Sequence, residues 1–205
     1  MRRKPAAGAE KSRKETVALP AAAPSRFAAI DFETADYSRD SACALSVVVV
    51  DNNKIVHKEN TLIRPPRRDF VFTYLHGISW RDVAKKERFP EIWPAIREKL
   101  DGFGIHYFAA HNARFDKSVL HECCQAADMD PPFEKFLCTV KLARKAWGIF
   151  PTKLSDVCRK LKIPLKHHDA LSDAMACAQI VIRASEEGFD ISSMFDKGKR
   201  KTKAA

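Results

Sequence analysis

The chain has 205 residues, 45% of them hydrophobic and 30% charged, which is enough apolar mass for one buried core and leaves room for little beyond one domain. No apolar run has the length of a membrane span, and the N-terminus lacks the continuous apolar stretch of a secretory signal; its Arg and Ala content faintly suggests a transit peptide, against which Glu10 and Glu15 speak. The formal net charge of +10 sits at the ends, with +5 over residues 1–26, +4 over residues 196–205 and only +1 between them.

Residues 1–25 and 196–205, rich in Ala, Pro, Lys and Arg, are therefore expected to be disordered basic tails around a domain at 26–195. Such tails either add attraction for phosphate without reading sequence or simply solubilise the chain.

The first predicted element is a strand near 26–33, where the apolar run FAAI ends in Asp31 and Glu33. Residues i and i+2 of a strand face the same way, so both carboxylates enter one space. Ionised carboxylates beside a core are costly unless paired or bound to metal; the plainer alternative is a solvated strand end. ACALSVVVVD and KIVHKENTLI then predict strands near 42–50 and 54–63, joined at Asp51, Asn52 and Asn53 as a hairpin. A helix is expected near 91–101 and a short strand near 105–110.

Asn112 is the expected N-cap of a helix over 113–128, which places Asp116 about one turn inside it. An acid there could also be ordinary compensation of the helix dipole. His111 reads as a strand-end residue. Helices near 137–147, 153–162 and 169–187 complete the pattern. Lys141, Arg144 and Lys145 fall at helical spacing, either as a phosphate-facing stripe or as a solvated face. The last helix opens at HHDALSDA, with His168 or Asp169 at its start, Asp173 one turn further in, and no role given to His167. Strands first and helices later, with one strand returning among the helices, predicts a mixed α/β sheet flanked by helices.

Four carboxylates carry four negative charges, which balance two divalent ions. Oxygen ligation favours Mg²⁺ or Mn²⁺ over Zn²⁺, and a pair of such ions suits in-line phosphoryl displacement. Imidazole is the side chain suited to accept a proton near neutral pH. The chemistry expected is phosphodiester hydrolysis.

The motifs DFET, HNARFD and HHDALSDA, in this order, resemble those of the DEDDh (DnaQ-like) 3′-to-5′ exonucleases, a family that includes the proofreading epsilon subunit of bacterial DNA polymerase III. LHGISWRDV, PEIWPAIREKLDG, CTVKLARK and KLSDVCRKLKI are also similar to its intervening segments, so the likeness covers roughly residues 26–187. It implies a ribonuclease H-like fold, with Asp31, Glu33, Asp116 and Asp173 as ligands of two divalent ions, Mg²⁺ or Mn²⁺, and His168 as the general base. It also implies Phe32, Thr34, His76, Gly77 and Ile78 near the terminal nucleotide.

The implied substrate is the single-stranded 3′ end of a nucleic acid, DNA before RNA. Oligoribonucleases and RNA-trimming enzymes of the same family keep RNA open, and a non-catalytic binding module or a two-metal phosphatase or endonuclease are the alternatives from other classes. ISSMF at 191–195 resembles a sliding-clamp-binding peptide without its leading Gln; otherwise Met194 and Phe195 close the core. The ten residues after Phe195 offer no polymerase-binding tail, so a free-standing enzyme is expected. Cys43, Cys123, Cys124, Cys138, Cys158 and Cys177 lack CxxC spacing and read as reduced thiols of a cytoplasmic protein.

Overall fold

The structure, a computed structural model, describes residues 26–195. The two expected basic tails lie outside the described residues.

Strand β1 (Phe27–Thr34) is the middle of a five-stranded sheet of order β3-β2-β1-β4-β5. On one side it pairs antiparallel with β2 (Ala42–Asp51), which turns into β3 (Lys54–Leu62). Asn52 and Asn53 both take left-handed φ, 51° and 58°, the geometry whose twist matches a two-residue hairpin and which Asn tolerates. On the other side β4 (Tyr107–Ala110) runs parallel to β1, and β5 (Lys135–Cys138) parallel to β4. The C-terminal ends of three parallel strands thus open on one edge of the sheet, where α/β proteins place their ligands.

Between β3 and β4 lie two single turns, α1 (Thr73–His76) and α2 (Trp80–Val83), and the helix α3 (Phe89–Phe103). Then come α4 (Arg114–Ala126), α5 (Thr139–Trp147), α6 (Leu154–Leu161) and α7 (Ala170–Glu186), with a 3-10 turn at Ile191–Met194.

Strand alternation divides the core between the two faces. Ala28, Ile30, Val47, Val49 and Phe108 pack with Ile92, Trp93 and Ile96 of α3 and Val119 and Leu120 of α4. Phe27, Ala29, Val48, Val50 and Tyr107 pack with Leu142 of α5, Val157 of α6 and Ile180 and Val181 of α7. Buried whole, each large apolar side chain contributes about 1.5–3 kcal/mol. Because β2 is covered on both faces it is apolar over nearly its whole length, with the buried Ser46 satisfied by Asn60 Oδ1 at 3.0 Å, whereas edge strand β3 alternates exposed and half-buried positions. On α7, Ala170, Ala174, Ala176, Ala178 and Ala184 are all buried, and such small side chains let a helix lie close against β1 and β2.

The structure corrects three expectations. KFLC at 135–138 is a strand and the following helix begins at Thr139, because pairing with β4 holds a segment too short to show a period of its own. The segment between β3 and α3, where no element is expected, holds the turns α1 and α2, each too brief to show a helical period. Asn112 does not cap α4 with its side chain: it takes φ 64°, its carbonyl accepts the Phe115 N–H at 2.8 Å, and the helix starts at Arg114.

Met194 and Phe195 pack against the core, with the Phe195 ring 5.0 Å from that of Tyr107. Arg144 donates to the Thr152 hydroxyl at 2.9 Å and Lys145 to the Ser193 hydroxyl at 3.0 Å, so two of the three bases of the expected stripe brace neighbouring segments, while Lys141 is exposed. Among the described residues no helix is long and apolar enough to cross a membrane.

Candidate active site

Asp31 and Glu33 share the α7-facing parity of β1, as their i, i+2 spacing requires. A register shift between Glu33 and Thr34 against β2 interrupts the ladder here, a device that re-aims side chains at the end of a strand. Asp116 stands in the first turn of α4, buried, and accepts the backbone N–H of Phe32 at 3.1 Å. That bond ties α4 to the β1 residue between the two acids. Asp173 stands in the first turn of α7, whose N-cap Asp169 accepts the Ser172 N–H at 3.1 Å.

The four acids feel one another. Burial pushes the Asp31 carboxyl well up, and the charges of Asp116, Glu33 and Asp173 add to it. Glu33 is raised to about 7, first by burial and then by Asp173 and Asp116. Burial also raises Asp116, against the hydrogen bond from Phe32 and the charge of Arg39. Asp173 is raised by burial, with His167 as the largest opposing influence. Its Oδ2 lies 3.3 Å from His167 Nδ1 and 3.4 Å from the His168 N–H. Its Oδ1 is buried with no hydrogen-bond partner among the described residues.

A cluster of buried, mutually repelling oxygens, one of them unpartnered, fits a hard divalent cation. Among the described residues these donors do not form a ready-made ligating group of three or more, and repulsion between like charges opposes their closing into one.

A cleft of about 260 Å³ beside the acids is lined by Glu33, Leu75, His76, Ile78, His167 and His168, among others. The structure therefore brings His168 and Glu33 to one space, as the motifs require, with His76 and Ile78 on the wall. The five positions implied near the terminal nucleotide separate. Phe32 is buried in the core on the α3 and α4 side, so that only its backbone serves the site. Thr34 is buried, and its carbonyl faces His76 Nε2 at 3.2 Å.

His76 Nδ1 accepts the Ile78 N–H at 3.1 Å, which leaves Nε2 to donate to Thr34; burial holds this imidazole below its ordinary range. Both ring nitrogens are thus spent on backbone, and His76 is a brace for the segment that carries Ile78. Gly77 takes φ 76° between them, a left-handed turn that favours glycine. His111 is structural in the same way: its ring bridges the Thr139 hydroxyl at 2.9 Å and the Thr152 carbonyl at 3.0 Å. His167, left without a role by its sequence position, is the histidine whose ring meets Asp173. The doublet itself was the only signal available in the sequence.

A family model described as an exonuclease matches residues 28–181, a span that holds all four acids and His168. This chain belongs to the exonuclease family. Exonuclease-family relatives include Exodeoxyribonuclease 10 of Escherichia coli K12, 34% identical over 163 residues, which are 75% of this chain and 66% of that one. PolC-type DNA polymerase III of Thermotoga petrophila is 29% identical over 78% of this chain, and the 3′-5′ exonuclease DinG of Bacillus subtilis 30% over 79%. The chain spans only 12% of the PolC-type relative's length and 18% of DinG's.

The solved structure of Exonuclease X with 5′ overhanging duplex DNA superposes with TM-score 0.66 at 25% identity, covering 82% of this chain and 96% of that one. A 3′-exonuclease that recognises a histone mRNA stem-loop superposes with TM-score 0.71 at 18% identity over 82% of this chain and 84% of that one. The fold is therefore the ribonuclease H-like sheet that the motifs implied, and the family is the DnaQ-like 3′-to-5′ exonucleases.

Proposed function

We propose that the protein is a metal-dependent 3′-to-5′ exonuclease that hydrolyses phosphodiester bonds at single-stranded 3′ ends and releases nucleoside 5′-monophosphates. The observation that carries this is the convergence of Asp31, Glu33, Asp116 and Asp173 from β1, α4 and α7, with His168 on the cleft that Glu33 also lines. DNA is the favoured substrate, supported by the likeness to Exodeoxyribonuclease 10.

Asp31, Glu33, Asp116 and Asp173 would hold two divalent ions, Mg²⁺ or Mn²⁺, whose chemistry is to activate water and stabilise charge on the leaving 3′ oxygen. His168, at the exposed mouth of the cleft, takes the proton from the attacking water. Leu75 and Ile78 offer an apolar wall for the terminal base, held in place by His76. The Phe32 N–H fixes Asp116, so one acid is oriented before substrate arrives.

The chain ends outside the domain carry the basic excess and would add salt-sensitive attraction for the strand. The described cysteines are all free, which fits a reducing compartment such as the cytoplasm. Met194 and Phe195 pack against the core, which supports core closure over clamp binding as the role of ISSMF.

The test is end dependence. A linear single strand should yield mononucleotides while a circular one of the same sequence stays intact. Cutting of the circle would make the enzyme an endonuclease and overturn the proposal.

A further inference from the structure

His167 and His168 are adjacent, and adjacent side chains of an extended or helical chain diverge. Here they do not. His168 takes φ 66°, a left-handed conformation that is strained for a residue with a Cβ. The two rings come to lie on one side, stacked with centroids 3.9 Å apart and planes 22° from parallel. The turn is pinned at Asp173, whose Oδ2 faces both the His168 N–H at 3.4 Å and His167 Nδ1 at 3.3 Å.

The two rings differ in how they are held. His167 is anchored through its Nδ1 to an acid fixed in the first turn of α7. The His168 ring has no hydrogen bond among the described residues, and its one ring contact is the face of His167. An exposed imidazole on a loop, with both side-chain torsions free, would otherwise spend little time aimed into the cleft.

We propose that His167 is a positioning residue: its ring, anchored on Asp173, is the platform that holds the imidazole of His168 toward the cleft shared with Glu33. The proposal rests on the exonuclease reading above, in which His168 takes the proton from water. In His167 the flat ring matters more than the nitrogen.

Substitutions separate the two. His167→Phe keeps a ring and loses the bond to Asp173, whereas His167→Asn keeps a polar group and loses the ring. His167→Ala and His167→Asn should lower kcat on the order of 10–100-fold with KM unchanged, and His167→Phe, which keeps the ring and gives up only its anchor, should lose clearly less than either. Because His167 acts through His168, the double variant His167→Ala/His168→Ala should be no slower than His168→Ala alone.

A readout independent of turnover is the imidazole proton resonances of His168 in the metal-free protein. They should carry a ring-current shift that survives in His167→Phe and disappears in His167→Ala. Rescue by Asn with failure of Phe would move the role to Asp173 and overturn the proposal. Additive losses in the double variant, or an unchanged kcat in His167→Ala, would overturn it too. A parent protein without nuclease activity would sink the exonuclease reading, while the resonance experiment would still decide whether the platform exists.

Discussion

Replacing Glu33 with Gln should stabilise the metal-free protein while ending its activity. Burial, and after it the charges of Asp173 and Asp116, raises the Glu33 carboxyl from an ordinary value of 4.5 to about 7. The unfolded chain gives up this proton first as pH rises. The native state is therefore unpenalised below the unfolded value, loses stability between the two, and pays a constant penalty above about 7. The full difference corresponds to about 3 kcal/mol. Glu33 is only partly buried, and solvent screening discounts this to about 1–2 kcal/mol.

For a domain of this size each kcal/mol moves Tm by about 2–4 °C. In EDTA at pH 8, Glu33→Gln should then melt about 2–8 °C above the parent, and at pH 5 the gain should fall to about a quarter. Millimolar Mg²⁺ or Mn²⁺ should raise the parent more than the variant, since binding to the native state is what relieves the repulsion. Circular dichroism melts in the two conditions measure this. A variant that melts below the parent in EDTA at pH 8 would refute the picture of four carboxylates straining against one another.

Asp31→Asn should lose more than about 100-fold in turnover, beyond the 10–100-fold typical of outer partners, as measured by release of mononucleotides under saturating substrate. His111→Ala removes the bridge between the Thr139 hydroxyl and the Thr152 carbonyl and should cost about 2–3 kcal/mol in urea unfolding, with turnover per folded molecule kept within a few-fold. His76→Phe fills the same space without either backbone bond. It should cost about 1–3 kcal/mol and raise KM on single strands more than it lowers kcat, because it loosens the segment that carries Ile78.

The central strands and the long helices were legible because their apolar periods are long and their turns carry chemistry, the Asn52–Asn53 hairpin above all. The acids were legible for a related reason, since a carboxylate closing an apolar run has few structural explanations. What escaped notice was set by tertiary contact. KFLC is a strand only because β4 pairs with it, and Asn112 turns left-handed where its type alone suggested a cap. Phe32 follows the parity of the core, so its side chain turns away from the acids on either side of it. His76 looks available in sequence and is spent on Thr34 and Ile78 in three dimensions. The division of labour between His167 and His168 depends on one left-handed φ, which no spacing rule encodes.

The most direct measurement is a time course on a 5′-labelled single-stranded DNA oligonucleotide with Mg²⁺, Mn²⁺ or EDTA, run beside the Asp31→Asn protein and a matched RNA strand. The expected result is a ladder shortening from the 3′ end with either metal, faster on DNA, and absent in EDTA and in the variant. A full-length strand in every lane, from protein that is folded and binds Mn²⁺, would contradict the assignment of Asp31, Glu33, Asp116, Asp173 and His168 to phosphodiester hydrolysis.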